Sequence, residues 1–250
     1  MKHIKERPLL IKERRSEYLN ALRAAFPNTL PILTGFIFLG ISCGIYMTSS
    51  GFPFWYPIIS SVFVFAGSME FVLVSLLLGV FDPLSAVLMT LMINARHLFY
   101  GISMLEKYKG TGGFKPYLVF GLCDESFSIN CTAEVPEGIN KKYFMFFVTL
   151  LNQVYWVIGS TVGGIIGSAI SFETRGIEFV MTAMFVVIFL EQWLKNKGHI
   201  SQIAGLIISV GCLLLFGADS FIIPSMVAIV IFLLATRALI LKGKEKEGSE

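Results

Sequence analysis

The sequence predicts an all-α fold: a polytopic helical membrane protein with about eight transmembrane segments. Of its 250 residues, 55% are hydrophobic and only 15% are charged, and the mean hydropathy is +0.73. A soluble domain would carry about 25% charged residues. The charges are also clustered, because none lies between Arg23 and Glu70, between Lys142 and Glu173 or between Asp219 and Arg237. Apolar runs of about 20 residues joined by short polar links are typical of helices that cross a bilayer.

The distribution of basic residues predicts a multi-pass protein of the cell membrane with both termini in the cytoplasm. Residues 1–27 form a basic N-terminal segment, residues 28–241 form the membrane domain, and residues 242–250 form a charged tail. Basic residues that flank spans are enriched on the cytoplasmic side. Because such flanking charges normally set topology and contact membrane lipid, no nucleic-acid partner is expected.

The start of the membrane domain is expected to combine a surface helix with a first span. Tyr18, Ala25 and Phe26 share one helical face, which predicts a short amphipathic helix on the inner membrane surface. The first span is expected over residues 28–48. Pro31 then lies near the start of that span, where its missing amide proton matters least.

A second apolar run, residues 54–80, is longer than a straight crossing needs. Its middle carries Gly67 and Ser68, followed by the carboxylate of Glu70. One interpretation is a broken helix in which Ser68 caps a new half-helix and Glu70 lies in its first turn, near the positive end of the dipole. Broken helices of this kind form substrate and ion sites in secondary transporters. The alternative is a tilted continuous helix in which Glu70 pairs with a neighbour.

The third segment, residues 83–104, places polar residues near the middle of an apolar run. Asn94 and His97 share one helical face, while Arg96 and Tyr100 share an adjacent one. Charged side chains at bilayer depth are costly, so they normally face a protein interior or a wet cavity. For His97, a hydrogen bond to a neighbouring helix is expected.

The remaining segments leave a conflict over topology. A short fourth segment at residues 114–132 carries Asp124 and Glu125 near its centre, and a fifth at residues 143–170 carries Asn152. The fifth segment also has a close-packing face of small residues at Gly159, Gly163 and Gly167. Three more spans are expected, at residues 176–194, 200–218 and 221–241. Eight spans leave the basic link at residues 107–115 outside, against the positive-inside rule, unless the fourth segment is re-entrant. No internal sequence repeat is evident.

The ionisable residues at membrane depth are expected to converge in one wet pocket between the second, third and fourth segments. They are Glu70, Arg96, His97, Asp124 and Glu125. Three acids against one arginine imply either that one carboxyl holds a proton or that a cation lies nearby. A competing interpretation is structural, with Arg96 paired to Asp124 as a scaffold.

The sequence gives no sign of an enzyme or of a metal or cofactor site. No span contains an HExxH, GxSxG or paired-aspartate motif. The four cysteines form no CxxC pair, and we expect them to be small buried residues rather than metal ligands or disulfides.

Four motifs carry a resemblance to a known family. Residues 65–71, 94–101, 124–127 and 152–159 resemble, in this order, the AzlC family of branched-chain amino-acid permeases. The resemblance implies export of leucine, isoleucine and valine, and in some members methionine. It also implies a second, small membrane subunit of the AzlD type. Family members often carry glutamine where this chain has Glu70.

The resemblance and the buried charges together suggest a proton-coupled exporter. The substrate carboxylate is expected at the amides of Gly67 and Ser68 or at Arg96, and the ammonium group or the coupling proton at Glu70, Asp124 or Glu125. The other candidate substrate-binding or coupling residues are Asn94, His97, Tyr100 and Asn152, with Phe71, Met92 and Phe99 beside Tyr100 around the apolar side chain. The alternatives are a passive channel for small solutes or ions, and a structural subunit of a transport complex.

Overall fold

A computed structural model describes residues 2–80, 82–169 and 199–217, together with residues 179, 182–183, 186, 189–190, 193–194, 221, 224–225, 227–233 and 235–236. Of residues 2–14, and of Ser85, Met92, Ala95 and Ile200, it describes the backbone only. The regular structure of these residues is helical, without a strand. The chain divides into two compact units, residues 1–181 and 182–250.

The first unit is built on two long parallel helices, α1 (Lys2–Ser49) and α7 (Lys141–Ala169). Their contacts advance together along both helices, from Tyr18 with Tyr143, through Ile37 with Gly159, to Ile45 with Gly167. Within the described ranges, the stretches Arg15–Ser49 and Lys141–Ala169 are the two that are long and apolar enough to cross a membrane. We call the end of this pair that carries Arg15, Arg23, Lys141 and Lys142 the basic end, and the end at Ser49 and Ala169 the far end.

Small residues allow α1 and α7 to approach closely, as the glycine spacing predicts. A Cβ atom on Gly40 would lie 2.9 Å from the backbone nitrogen of Ser160 and 3.0 Å from the Cα of Gly159. A Cβ on Gly163 would meet the backbone of Ile41. The predicted close-packing face on the fifth segment is confirmed, and its partner is the first helix.

The predicted separate surface helix before the first span is wrong, because α1 is continuous from Lys2 to Ser49. Pro27 and Pro31 therefore lie inside a helix, where each removes a backbone hydrogen bond. Two polar side chains near the prolines bond to the helix backbone: Asn28 Nδ2 donates to the carbonyl of Ala24 at 2.9 Å, and Thr29 Oγ1 donates to that of Phe26 at 3.0 Å. Tyr18 of the predicted amphipathic face packs on α7, with the Tyr18 and Tyr143 rings 4.3 Å apart, and Ala25 is fully buried, whereas Phe26 is 46% exposed.

The second apolar run is broken, as one of the two interpretations predicts. It forms α2 (Trp55–Phe63) and α3 (Gly67–Leu78), and Phe65 between them has a left-handed backbone (φ +43°). Ser60 Oγ donates to Glu70 Oε2 at 2.7 Å across the break. In a continuous helix these two residues would be about 15 Å apart along the axis. The chain therefore folds back on itself at the break.

This first hairpin enters from the far end and returns to it. The contacts that fix its direction are those of Phe54 with Gly164, of Val62 with Gln153 and of Phe71 with Tyr46. Ser68 does not cap α3, because Ala66 occupies the N-cap position, but Glu70 does lie in the first turn.

A second hairpin enters from the opposite, basic end. After α4 (Pro83–Met104), a 3₁₀ turn (Gly112–Phe114) leads to α5 (Lys115–Phe120) and α6 (Asp124–Thr132). Its limbs are placed by the contacts of Phe114 with Tyr143, Gly121 with Thr149, Phe127 with Tyr100 and Lys107 with Cys131. The segment at residues 114–132 therefore begins and ends at the same end of the α1/α7 pair, as a re-entrant segment would.

The two hairpins meet at their tips. The rings of Phe65 and Phe120 are 6.4 Å apart, and Phe65 Cε1 lies 3.8 Å from the position of a Cβ on Gly121. Each hairpin follows a long helix: α1 precedes the first hairpin and α4 precedes the second. These two helix–hairpin repeats run in opposite directions, which is the topology of an inverted repeat.

In the second unit, α8 (Ile200–Phe216) matches the predicted span at residues 200–218. The structure describes only some residues of the predicted segments at residues 176–194 and 221–241, and the tail at residues 242–250 lies wholly outside the described residues. So do the basic side chains of residues 2–14 and the side chain of Met92.

Candidate functional site

Two half-helices begin at the hairpin tips and run away from them in opposite directions. The first turn of α3 carries Glu70, and that of α6 carries Asp124 and Glu125. The first amides of a helix have no partner within it, and its N-terminus bears a partial positive charge. Each tip therefore combines backbone donors with carboxylates, as a site for a zwitterion or an ion requires. At α6 the amides of Cys123 and Ser126 are taken by a capping box, so only the remaining amides of its first turn are free.

Glu70 is fully buried between the first hairpin and α7. Its Oε2 accepts from Ser60 Oγ at 2.7 Å, and its Oε1 accepts from Trp156 Nε1 at 2.8 Å. In the described part of the chain, no cation forms a salt bridge with it. A carboxyl group held by neutral donors away from cations can take up and release a proton without breaking an ion pair.

Arg96 and Asp124 join the third helix to the second hairpin. Arg96 Nη2 lies 2.9 Å from Asp124 Oδ2, and the two side chains are 32% and 25% exposed. The other carboxylate oxygen of Asp124 is buried and makes no hydrogen bond. Tyr100 lies beside Asp124 and stacks on Phe127, with the ring centroids 4.3 Å apart. Glu125 adds a second carboxylate next to this pair.

His97 lies on α4 about one turn before Tyr100, and Asn94 lies about one turn before His97. His97 Nδ1 is 3.3 Å from the carbonyl oxygen of Asn94, so this hydrogen bond lies within one helix. Among the described residues, the expected bond from His97 to a neighbouring helix is not seen, and the bond to its own helix takes its place. No described residue hydrogen-bonds to the buried side-chain oxygen of Asn94.

Asn152 places a buried amide on α7. Its side chain is fully buried, and among the described residues neither the oxygen nor the nitrogen of its amide has a partner. It lies on the same helical face as Thr149 and Trp156, three residues after one and four before the other. Thr149 contacts Gly121 at one hairpin tip, and Trp156 contacts Gly67 at the other. Asn152 therefore lies at the level where the tips meet, with hydrogen-bonding capacity that the protein does not use.

The structure divides the predicted single cluster into two. Arg96, His97, Tyr100, Asp124 and Glu125 come together where α4 meets α6. Glu70 is separated from them, because α3 turns back toward the far end and buries Glu70 against Ser60 and Trp156. Gly67 lies against the Trp156 ring, and Ser68 is buried beside it in α3.

Three contributors to this region were not among the predicted site residues. They are Ser60, Trp156 and Tyr117. Ser60 and Trp156 donate to Glu70, and the Tyr117 hydroxyl donates to Gln153 Oε1 at 2.6 Å. Gln153 Nε2 in turn donates to the carbonyl of Val62, which ties both hairpins to α7. Trp156 lies in the motif at residues 152–159, so the motif was the available signal. Ser60 had none, since its role depends on the fold-back.

Comparison with known proteins places the chain in a family. The family model described as AzlC protein matches residues 31–170, which include both hairpins, α4 and α7. The Branched-chain amino acid transport protein AzlC of Bacillus subtilis is 60% identical over 217 residues, covering 87% of this chain and 85% of that protein. An uncharacterized membrane protein of Haemophilus influenzae is 47% identical, covering 85% and 88%.

A more distant relative is the inner membrane protein YgaZ of Escherichia coli, 24% identical over 184 residues, with 68% of this chain and 72% of that protein covered. No solved structure matches. The family model covers more than half of the chain, and the Bacillus relative is similar over nearly all of it. The chain belongs to the AzlC family.

Proposed function

We propose that this chain is a membrane transport subunit that exports branched-chain amino acids such as leucine, isoleucine and valine, driven by proton movement. The observation that carries the proposal is the meeting of two opposed half-helix N-termini beside the buried, unpaired amide of Asn152. The printed name of the Bacillus relative supports the substrate class. The family resemblance supports a small second subunit of the AzlD type as partner.

The hairpins suggest six membrane crossings rather than eight. In this topology α1 and α7 cross, and so does the 22-residue α4, whose Asn94, Arg96 and His97 make it less apolar than the other two. Both hairpins are re-entrant, and the three segments after residue 170 add three crossings. Both termini and the basic end then face the cytoplasm. The basic link at residues 107–115 lies at that same end, so the conflict with the positive-inside rule disappears. The far end has no lysine or arginine in its connections at residues 50–54 and 79–82.

The site near the tips has a group for each part of a zwitterionic substrate. The substrate carboxylate binds at the free amides of α6 or at Arg96, and the ammonium group binds at Asp124 or Glu125. The amide of Asn152 can serve either group, because it is both a donor and an acceptor. The unpaired oxygens of Asn94 and Asp124 are available in the same way.

Glu70 is the residue we propose for proton coupling. Its two hydrogen bonds come from neutral donors, so its charge state can change while Ser60 and Trp156 stay in place. When the oxygen that faces Ser60 holds a proton, it donates to the Ser60 hydroxyl, which can accept, while the Trp156 indole, a donor only, keeps its bond to the other oxygen. Because Glu70 is bonded both to Ser60 in the first hairpin and to Trp156 on α7, a change in its charge affects both elements, and α7 also carries Asn152.

The proposal is tested by counterflow of labelled leucine in liposomes that contain the chain, with and without the small partner, at two pH values. We expect exchange that Asn152→Leu reduces by at least about tenfold, the effect of losing one or two substrate hydrogen bonds. Thr161→Val is the matched control, since the Thr161 hydroxyl bonds to Val157 within α7. Full counterflow by Asn152→Leu would remove the site.

A passive channel is the second candidate, since opposed half-helix dipoles also occur at selectivity elements of pores. Accumulation of leucine against its gradient, abolished by an uncoupler, would exclude a pore. A purely structural role would be shown if the small subunit alone supported the same transport.

A further inference from the structure

We propose a second binding site for a free amino acid at the basic end, in the cavity between the end of α4, the end of α6 and the start of α7. The cavity has a volume of about 500 Å³, within the range of small-molecule sites. Phe144 in its wall precedes Asn152 by eight residues, about 12 Å along α7, so this cavity is separate from the hairpin tips. The choice of ligand rests on the proposed function; the cavity does not.

The Lys107 side chain fixes one wall of the cavity. Lys107 Nζ donates to the carbonyl oxygens of Asn130 and Cys131 in the last turn of α6. A cation at a helix C-terminus complements the partial negative charge there. Lys107 therefore holds the end of α6 near the chain that follows α4, and Lys141 forms the opposite wall at the start of α7.

Asn130 supplies the observation that points to a ligand. It lines the cavity, and only 7% of its surface is exposed. Among the described residues, neither polar atom of its side chain makes a well-formed hydrogen bond; the Tyr108 hydroxyl lies within reach and can satisfy only one of the two. Buried amides are nearly always hydrogen-bonded in folded proteins. A ligand with both a donor and an acceptor would satisfy this one.

The charges of the wall identify the ligand as a zwitterion with an apolar side chain. Lys141 and Asn130 Nδ2 can bind a carboxylate, and Glu134 and Asn130 Oδ1 can bind an ammonium group. Phe144 and Met145 supply an apolar wall for the side chain. An inorganic anion would bind near the lysines but would leave Glu134 and the apolar wall without a partner. At the cytoplasmic face of an exporter, such a site would collect substrate before transport.

The site is tested by placing a fluorophore on Glu137→Cys, an exposed position near Glu134, in the whole chain in nanodiscs with the native cysteines replaced. Leucine, leucinamide, 4-methylpentanoate and inorganic phosphate are titrated separately. We expect a saturable response to leucine, weaker by about tenfold for leucinamide and methylpentanoate, each of which lacks one charged group. Asn130→Leu and the surface change Lys141→Met should each weaken leucine binding by a similar factor, and Ser128→Ala on the same helix should not.

Each outcome separates the two proposals. A leucine response in nanodiscs, with no counterflow when the chain and its small partner are reconstituted in liposomes, would contradict the proposed function and leave this site standing. Transport without a response, or equal responses in Asn130→Leu, Lys141→Met and the parent, would overturn this site alone. A phosphate response as strong as that to leucine would show an anion site and overturn the zwitterion assignment.

Discussion

Replacing Arg96 and Asp124 singly and together tests whether their ion pair is a scaffold or part of the transport site. At 2.9 Å and an effective dielectric constant of about 20, their attraction is about 6 kcal/mol before desolvation. Both groups are a quarter to a third exposed, so solvent screening and desolvation offset much of it. We expect a net coupling of about 1–3 kcal/mol.

The measurement is a double-mutant cycle with Arg96→Met, Asp124→Asn and the double variant, unfolded in the same detergent. Each single change leaves one charge without its partner, so it should cost more than the double change does. The transport assay on the same three variants then separates the two roles. If the pair is only a scaffold, the double variant regains both stability and transport. If Arg96 or Asp124 contacts the substrate, stability returns and transport does not.

Exposed charges provide the control for this cycle. The pair Lys115→Met and Glu137→Gln, both at exposed positions, should show no coupling within about 0.5 kcal/mol. Zero coupling between Arg96 and Asp124 as well would refute the reasoning, because the ion pair would then contribute nothing to the link between α4 and the second hairpin.

Three further changes have definite expected results. Glu70→Gln should keep the protein folded and export leucine, but with rates that no longer differ between the two pH values of the counterflow assay. Gly40→Leu should cost about 1–3 kcal/mol of stability by forcing α1 from α7, whereas Gly35→Leu, where a Cβ meets nothing within 4 Å, should cost little. Tyr117→Phe should loosen the link to Gln153 and lower the melting temperature by a few degrees, about 1 kcal/mol for one hydrogen bond.

The sequence predicted the helical membrane class, and it gave the break in the second segment as one of two interpretations. Gly67 and Ser68 interrupt an apolar run, and Glu70 marks the start of a new helix. The direction of α3 was not readable, since an apolar run of this length suits either a tilted crossing or a hairpin. The direction depends on contacts between distant residues, such as Phe71 with Tyr46. The basic link at residues 107–115 was the sequence signal that disfavoured five crossings before residue 170.

The site was predicted in part for the same reason. The pairing of Arg96 with Asp124 follows from opposite charges on neighbouring segments, and the structure confirms it. The partners of Glu70 were not predictable, because Ser60 and Trp156 are 10 and 86 residues away and reach it only after the fold-back. The inverted units were equally hidden. A re-entrant hairpin requires only a helix break and the first turn of a new helix at its tip. These two features fix the residue types at only a few positions, so the two hairpins need not show a recognisable sequence repeat.

The central claim is that two hairpins enter the membrane from opposite faces and meet at their tips. Its most direct test is the sidedness of Lys109→Cys, in a chain whose native cysteines are replaced, labelled with an impermeant maleimide. We expect Lys109→Cys to be labelled from the cytoplasmic face only, as Lys141→Cys should be, and Phe54→Cys to be labelled from outside only. Labelling of position 109 from outside would mean that residues 54–80 cross the membrane, and it would contradict the account.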